Sequence, residues 1–290
     1  MIKKELHEHL VELTDNNLRV KQIVINPGFT GVVLDSGDMG IAMNVRSGHN
    51  VTEKINDYLQ GKTDVKALTA AEGILKNIDI FNDSPEEKHL IRSVLVALYN
   101  ALSRPFMDKE HLSSIGCKIK HGTSNTQESS SAGVKAGETL TIVGFGGMVR
   151  SLSQIAKRTY VTELKPEFFR ATSISSEGIV RGSGSYTLVS AAEGEKYFKK
   201  ADTIYVTGCT LVTDTMDEIL RQCRGKKIIV YGATASFLPQ PLLERDVNTI
   251  QTTIVRDADL MAELLLNCAG AVERFFPMAC ENVLIVKDTE

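Results

Sequence analysis

Residues Thr139 to Leu164 read TLTIVGFGGMVRSLSQIAKRTYVTEL, and this stretch decides the fold. An apolar run ends at Gly144-Phe145-Gly146-Gly147, a segment with helical spacing follows, and a second apolar run ends at Glu163. That is the outline of a βαβ unit with a glycine-rich first turn and an acid at the tip of its second strand. Glycines let the backbone approach a ligand, a helix N-terminus favours negative charge, and the acid can hold sugar hydroxyls. Nineteen residues separate Gly144 from Glu163, close to the roughly 20 of a dinucleotide-binding fingerprint. The glycine pattern is G-x-G-G and lacks the third glycine of G-x-G-x-x-G. Two readings stay open for this turn: a ligand cradle, or a tight corner in a Rossmann-like core.

Outward from this unit, the chain alternates. Strand candidates are Thr139–Val143, Thr159–Thr162, Thr203–Thr207, Lys227–Tyr231, Thr249–Val255 and Val283–Val286; helix candidates are Met148–Lys157, Glu193–Lys200, Thr213–Cys223 and Asp257–Phe275. Strand–helix alternation predicts an α/β fold: a Rossmann-like, mostly parallel sheet with helices on both faces. Runs such as TIYVTG and KIIVYG are apolar throughout before a glycine, as strands buried on both faces are. Thr172 to Gly184, TSISSEGIVRGSG, breaks the alternation and reads as a lid or a surface insertion.

The first ~110 residues differ. Ile2, Leu6, Leu10 and Leu13 repeat at helical spacing, and three short strand-like runs follow, split by Asn26-Pro27-Gly28 and Asp35-Ser36-Gly37-Asp38. Ser84-Pro85-Glu86-Glu87 opens a helix with Ser84 as N-cap, Pro85 in the first turn and Glu87 closing a capping box. This is a small α+β unit. The expected division is residues 1–110 and 111–290, with the Ser/Thr/Gly-rich stretch at about 120–137 as a linker.

With 290 residues, two domains are expected. Hydrophobic residues make up 42% and charged residues 24%, enough for ordinary cores. The net charge of −3 argues against a general nucleic-acid or anionic-membrane binder. No apolar run approaches the ~18 residues of a transmembrane helix, and MIKKELHEHLVEL reads as an amphipathic helix and not as a signal peptide. Five widely spaced cysteines without a C-x-x-C point to reduced thiols in a cytoplasmic protein. The six histidines are scattered and no metal site is expected.

Three further motifs carry a resemblance: Ala201-Asp202-Thr203-Ile204-Tyr205-Val206-Thr207-Gly208 with Thr210 and Thr215; Ile228-Ile229-Val230-Tyr231-Gly232-Ala233-Thr234-Ala235 with Pro239; and Leu98-Tyr99-Asn100-Ala101-Leu102. Together with Gly144-Phe145-Gly146 and Glu163, they resemble the family described as "putative heavy-metal chelation" proteins. The resemblance implies an enolase N-terminal-like domain followed by a Rossmann-like domain, with a site between them. It also implies a small ligand, nucleotide- or pterin-like, although the family's activity is not established. Asn100 matches the family's Asn-Ala-Leu, and Thr207, Gly208 and Thr210 match its Thr-Gly-x-Thr. Tyr231-Gly232-Ala233-Thr234 keeps Gly232 but departs from the usual Gly-Pro-Ser.

The expected ligand-binding residues are therefore Gly144, Phe145, Gly146, Gly147, Glu163, Thr207, Gly208, Thr210, Gly232 and Asn100. Cys209 has no evident partner base and reads as a structural thiol. No Ser-His-Asp order, H-E-x-x-H or Walker lysine stands out, and no catalytic residue is assigned. The preferred reading is a protein that binds a small polar metabolite between its domains. One form of it is an enzyme of group transfer, condensation or hydrolysis linked to metal-chelator metabolism. The alternatives are a non-catalytic metal-complex binder, and a methyltransferase or dehydrogenase using the glycine turn. Homo-oligomerisation is left open.

Overall fold

The computed structural model describes residues 1–45, 52–121, 133–168, 172–175, 178–181, 186–268 and 272–288. The chain opens with α1 (Ile2–Leu13), whose Ile2, Leu6 and Leu10 are buried. An antiparallel meander follows: β1 (Val20–Ile25), β2 (Phe29–Leu34) and β3 (Met39–Met43), paired in that order. The first turn is closed by Asn26, whose Oδ1 accepts from the Gly28 and Phe29 amides at 2.8 Å each. Then come α2 (Glu53–Gln60), α3 (Ala67–Asn77) and the long α4 (Pro85–Ser103). Ser84 caps α4 as its sequence requires, its Oγ accepting from Glu87 N at 3.3 Å. The capping box is only half made, because the Glu87 carboxylate accepts from Thr52 Oγ1 at the start of α2 instead. From Ser93 to Ser103 every residue of α4 is buried. The helix therefore lies across β2 and β3 on one side and meets the rest of the chain on the other.

After α5 (Lys109–Ser114) the chain enters an eight-stranded sheet. Its strands are β4 (Cys117–His121), β5 (Thr139–Val143), β6 (Arg158–Glu163), β9 (Tyr186–Ser190), β10 (Thr203–Thr207), β11 (Lys227–Tyr231), β12 (Val247–Val255) and β13 (Cys280–Lys287); β7 (Thr172–Ser175) and β8 (Gly178–Arg181) form a separate hairpin. The spatial order is β4-β13-β12-β11-β10-β5-β6-β9. The six strands from β12 to β9 run parallel, and β13 pairs antiparallel to both β12 and β4. The fold class read from the sequence is thus the observed one: a mostly parallel α/β sheet with helices, preceded by an α+β unit.

One apolar cluster runs without a break from α1, α3 and α4 through Leu211 and Leu238 to Ile204, Val206, Ile228, Val230 and Ile250. A second joins the outer face of β1–β3 to Val255, Met261 and Leu265. The two halves therefore share buried apolar surface on both sides of the meander, and this fixes their relative position.

Several local expectations are corrected. Thr172 to Gly184, read as a lid or a surface insertion, contains the β7–β8 hairpin, in which residues 172–175 and 178–181 pair; the remaining positions of that stretch lie outside the described residues. The stretch Asp257–Phe275 is not one helix: it runs from Ala258 to Asn267, with a separate turn at Val272–Phe275. The helix expected over Thr213–Cys223 begins at Met216, because Asp214 takes a left-handed φ of 64° and breaks the chain direction after the short Cys209–Val212 helix. β4 and β9 were not anticipated; β4 alternates Lys with apolar positions and finds its partner, β13, far along the sequence. Most of the expected linker, residues 122–132, lies outside the described residues.

Candidate functional site

β5 and β10 are neighbours, with β6 and β9 on one side and β11 and β12 on the other. The chain thus leaves the carboxyl ends of β5 and β10 in opposite directions, the point where open α/β sheets form a crevice. The glycine turn stands on one side of it. Gly144 has φ 88° and donates to Thr162 O at 2.9 Å; a Cβ there would lie 2.8 Å from Thr207 Cγ2. Conformation and packing both demand glycine. At Gly146 a Cβ would meet Tyr231 Oη at 3.2 Å, and this hydroxyl donates to Gly144 O at 3.3 Å. The turn therefore rests on the Tyr231 ring. Burial holds that phenol well above its ordinary pKa. At Gly147 a Cβ would meet nothing within 4 Å. The amides of Gly147 and Met148 open the Met148–Ile155 helix without a side-chain cap or a backbone partner among the described residues.

Glu163 ends β6 half-buried. Its Oε2 accepts from Phe145 N at 3.0 Å and its Oε1 from Leu164 N at 2.8 Å. The acid thus orders the glycine turn directly, while each carboxylate oxygen keeps a lone pair for a further donor. The Phe145 ring meets Tyr186 edge-on, with centroids 5.6 Å apart.

Across the crevice, Thr207 Oγ1 accepts from Cys209 N at 3.4 Å and Thr210 Oγ1 donates to Thr207 O at 2.7 Å. A Cβ at Gly208 would lie 2.9 Å from Ala235 N, so glycine admits the turn after β11. Gly232 begins that turn with φ 99° and open space at its Cβ position. Asn100 is 2% exposed and reaches the same turn from α4: its Nδ2 donates to Ile41 O at 2.7 Å, Thr234 O at 3.2 Å and Ala233 O at 3.5 Å. Its Oδ1 is buried without a partner among the described residues. Met43 N donates to Thr234 Oγ1 at 3.0 Å.

All ten expected positions thus border one edge. Gly144 to Gly147 and Glu163 form one flank, Thr207, Gly208 and Thr210 the other. Gly232 and Asn100 lie one strand further, where Asn100 stitches β3 to the Ala233–Ala235 turn. Sequence reasoning missed the groups that the N-terminal unit lays over this edge. Met43 Sδ is 3.3 Å from Cys209 Sγ, and Thr234 Oγ1 is 4.0 Å from the same sulfur. Burial raises the Cys209 thiol above its ordinary pKa. Arg92 holds Asp214 at 2.9 Å, and Asp214 also pairs with the buried Lys3. His89, one turn before Ser93, is half-buried. Nothing local in the sequence marks these contacts.

A separate cavity of about 370 Å³, lined by Gly133, Lys227, Asn248, Thr249, Leu284, Val286 and Lys287, opens at the amino edge of the sheet, away from all ten. Among the described residues no three His, Cys, Asp or Glu side chains group to hold a metal. Nor is any helix among them long and apolar enough to cross a membrane.

Fold and crevice together define a class: an α+β unit seated on the carboxyl edge of a doubly wound sheet. The chain belongs to the family described as "Putative heavy-metal chelation", whose model matches residues 128–285; a second model of the same description matches residues 7–103. A family member of unknown function from Desulfitobacterium hafniense is similar in structure, with 16% identity, TM-score 0.67 and 98% of each chain covered. Another, from Pyrococcus horikoshii, shows 18% identity and TM-score 0.62 over 98% of this chain and 99% of that one. A comparison with curated proteins finds no match.

Proposed function

We propose that this protein binds a small polar metabolite, nucleotide- or pterin-like, in the crevice between β3 and α4 and the carboxyl ends of β5, β6 and β10. One observation carries the reading. Thr207 and Tyr231 fill the space at Gly144 and Gly146, yet among the described residues nothing lies within 4 Å of a Cβ at Gly147 and the Gly147 and Met148 amides have no partner. Paired amides and close packing would suffice for a corner alone. Free amides at a helix start favour an anionic or carbonyl oxygen, and Glu163 stands beside them to accept a ligand hydroxyl or N–H. Such a ligand could be turned over by group transfer, condensation or hydrolysis, in keeping with a role in metal-chelator metabolism. The reading entails a small-molecule partner, no nucleic acid and no membrane. A cytoplasmic setting agrees with five free thiols.

The test is calorimetry with neopterin, flavin mononucleotide, S-adenosylmethionine and NADH, beside native mass spectrometry of the freshly purified chain. Gly147→Val adds bulk into open space at an ordinary φ of −57°, so it should leave folding intact and weaken binding at least tenfold. Binding equal to the parent's would move the site elsewhere.

A second reading, a binder of metal complexes without turnover, is favoured by Cys209 and Met43. They bring two soft donors together at the seam. No three His, Cys, Asp or Glu side chains group around a metal position among the described residues, so a metal bound here would bring ligands of its own. Titration with cadmium, followed by thiolate-to-metal absorption and compared with Cys209→Ser, decides it.

A further inference from the structure

β12 and β13 present two unlike faces. Ile250, Val283 and Ile285 point into the shared core and are at most 1% exposed. On the other face, strand register sets Ile229, Thr249, Val286 and Lys118 in one row across β11, β12, β13 and β4, and Gln251, Leu284 and Lys120 in the next. Here Leu284 and Val286 are only half-buried, and Lys118 and Lys120 are exposed. Sheets of this kind are normally covered on both faces, so half-buried aliphatic side chains inside the sheet mark incomplete cover. The cavity of about 370 Å³ opens at this place, within the ~300–1,000 Å³ of small-molecule sites. One wall of it is closely built. Gly133 has φ 113°, and a Cβ there would lie 2.8 Å from Ile229 Cδ1 and 3.1 Å from Lys227 Nζ. Gly133 O accepts from Lys227 Nζ, which holds the amine against the cavity wall. Asn248 lines the cavity too; its Oδ1 accepts from Ile228 N at 2.9 Å, so its amide has only the Nδ2 donor left to offer.

We propose that this cavity is a second ligand site, for a small organic anion: a carboxylate on an apolar body, with the carboxylate at Lys227 and Asn248 and the body over Val286 and Leu284. The lining side chains offer donors. Lys227, Lys287, Asn248 and Thr249 all carry one, and no Asp or Glu lines the cavity among the described residues. Lys227 and Lys287 donate only to neutral carbonyls, Gly133 O and, at 3.4 Å, Leu243 O, and neither has an ion pair among the described residues. An ammonium has three donors, so Lys227 keeps two for a ligand. The charge belongs at the amino edge of the sheet, because Lys227 begins β11 and Asn248 stands at the start of β12. Leu284 lies two residues inward from Val286 along β13, roughly 7 Å. The ligand that fits therefore carries its charge at one end. A cation would meet the amines, and a wholly polar molecule would leave the aliphatic floor unmatched. The site lies at the opposite edge of the sheet from the crevice and does not depend on the reading given for it.

Calorimetry on the full chain with octanoate, octan-1-ol and octylamine tests this at low ionic strength. Octanoate should bind with one site per chain, at least tenfold more tightly than the alcohol, and the amine should bind more weakly than either. Lys227→Met should lose at least tenfold in octanoate affinity, and Lys227→Arg, which keeps the charge, should stay within a few-fold of the parent. Val286→Glu, which sets an acid in the floor, should also abolish binding. Gly147→Val, at the crevice, should change nothing. A second readout places the ligand: lysines are acetylated with acetic anhydride and mapped by mass spectrometry, and octanoate should protect Lys227 while the exposed Lys4 reacts as before. No binding at millimolar octanoate overturns the proposal, as does equal binding of octanoate and octan-1-ol. Parent-like affinity in both Lys227→Met and Val286→Glu overturns it too, and so does binding lost in Gly147→Val, which would put octanoate in the crevice.

Discussion

Replacing Gly40 by alanine should destabilise the protein by about 2–4 kcal/mol. A Cβ at this position would lie 2.2 Å from Ala97 O, 2.3 Å from Ala101 N and 2.7 Å from Asn100 C. All three are main-chain atoms of α4, so no rotamer change relieves the contact. Ordinary separations would require β3 and α4 to part by roughly 1 Å. Overpacking of this kind typically costs ~1–3 kcal/mol. The same displacement stretches the bond from Asn100 Nδ2 to Ile41 O, now 2.7 Å, beyond hydrogen-bonding range. Nδ2 keeps its bonds to Thr234 O and Ala233 O, so the loss of this one bond costs roughly another 0.5–1.5 kcal/mol. The assay is urea denaturation followed by far-UV circular dichroism. Gly37→Ala is the control: Gly37 has φ 88° and nothing within 4 Å of its Cβ position, so it should cost only the left-handed strain of about 1–2 kcal/mol. Gly40→Ala and Asn100→Ala should also be non-additive, because both act on one contact. A loss below 1 kcal/mol for Gly40→Ala, or no more than for Gly37→Ala, would refute the close approach of β3 to α4.

Glu163→Ala should cost about 1–2 kcal/mol, because Phe145 N and Leu164 N lose their acceptor; Glu163→Gln should cost less, and denaturant titration compares them. The Glu5 carboxyl is held at about 2, first by its hydrogen bonds to Arg245. A carboxylate with a depressed folded pKa stabilises above its unfolded value, and here that stability is lost as pH falls from about 4.5 toward 2. At 31% exposure solvent screening leaves on the order of 1–2 kcal/mol, and Glu5→Gln should flatten the stability profile in that window. His7 and His89 are both shifted below the ordinary histidine value, by burial first. The unfolded chain then binds more protons, so stability should also decline as pH falls below about 6.5. Burial pushes the Cys223 and Cys280 thiols up to about 12; iodoacetamide at pH 8 should label both far faster in urea than in the native chain, as peptide mapping will show.

Much of this protein is legible in the residues themselves. Apolar runs punctuated by glycine define β5, β10 and β11 because a strand buried on both faces must be apolar throughout and must end where the chain turns. Ser84-Pro85 starts α4 because the cap and the missing amide act within one turn. The glycine turn and Glu163 could be located because the βαβ unit sets their separation. What these residues touch could not be read. Gly146 faces Tyr231 and the Asn100 amide reaches Thr234, partners separated by 85 and 134 positions. Cys209 carries no local signal at all; its place follows from how α4 and β3 settle on the sheet edge. Strand order decides the crevice in the same way, since it depends on which buried faces fit together across the molecule. Conformational preference and periodicity act over a few residues and so are written in the sequence. Contact between distant segments is set by shape, burial and hydrogen-bond satisfaction in the assembled core, and only the tertiary structure could decide it.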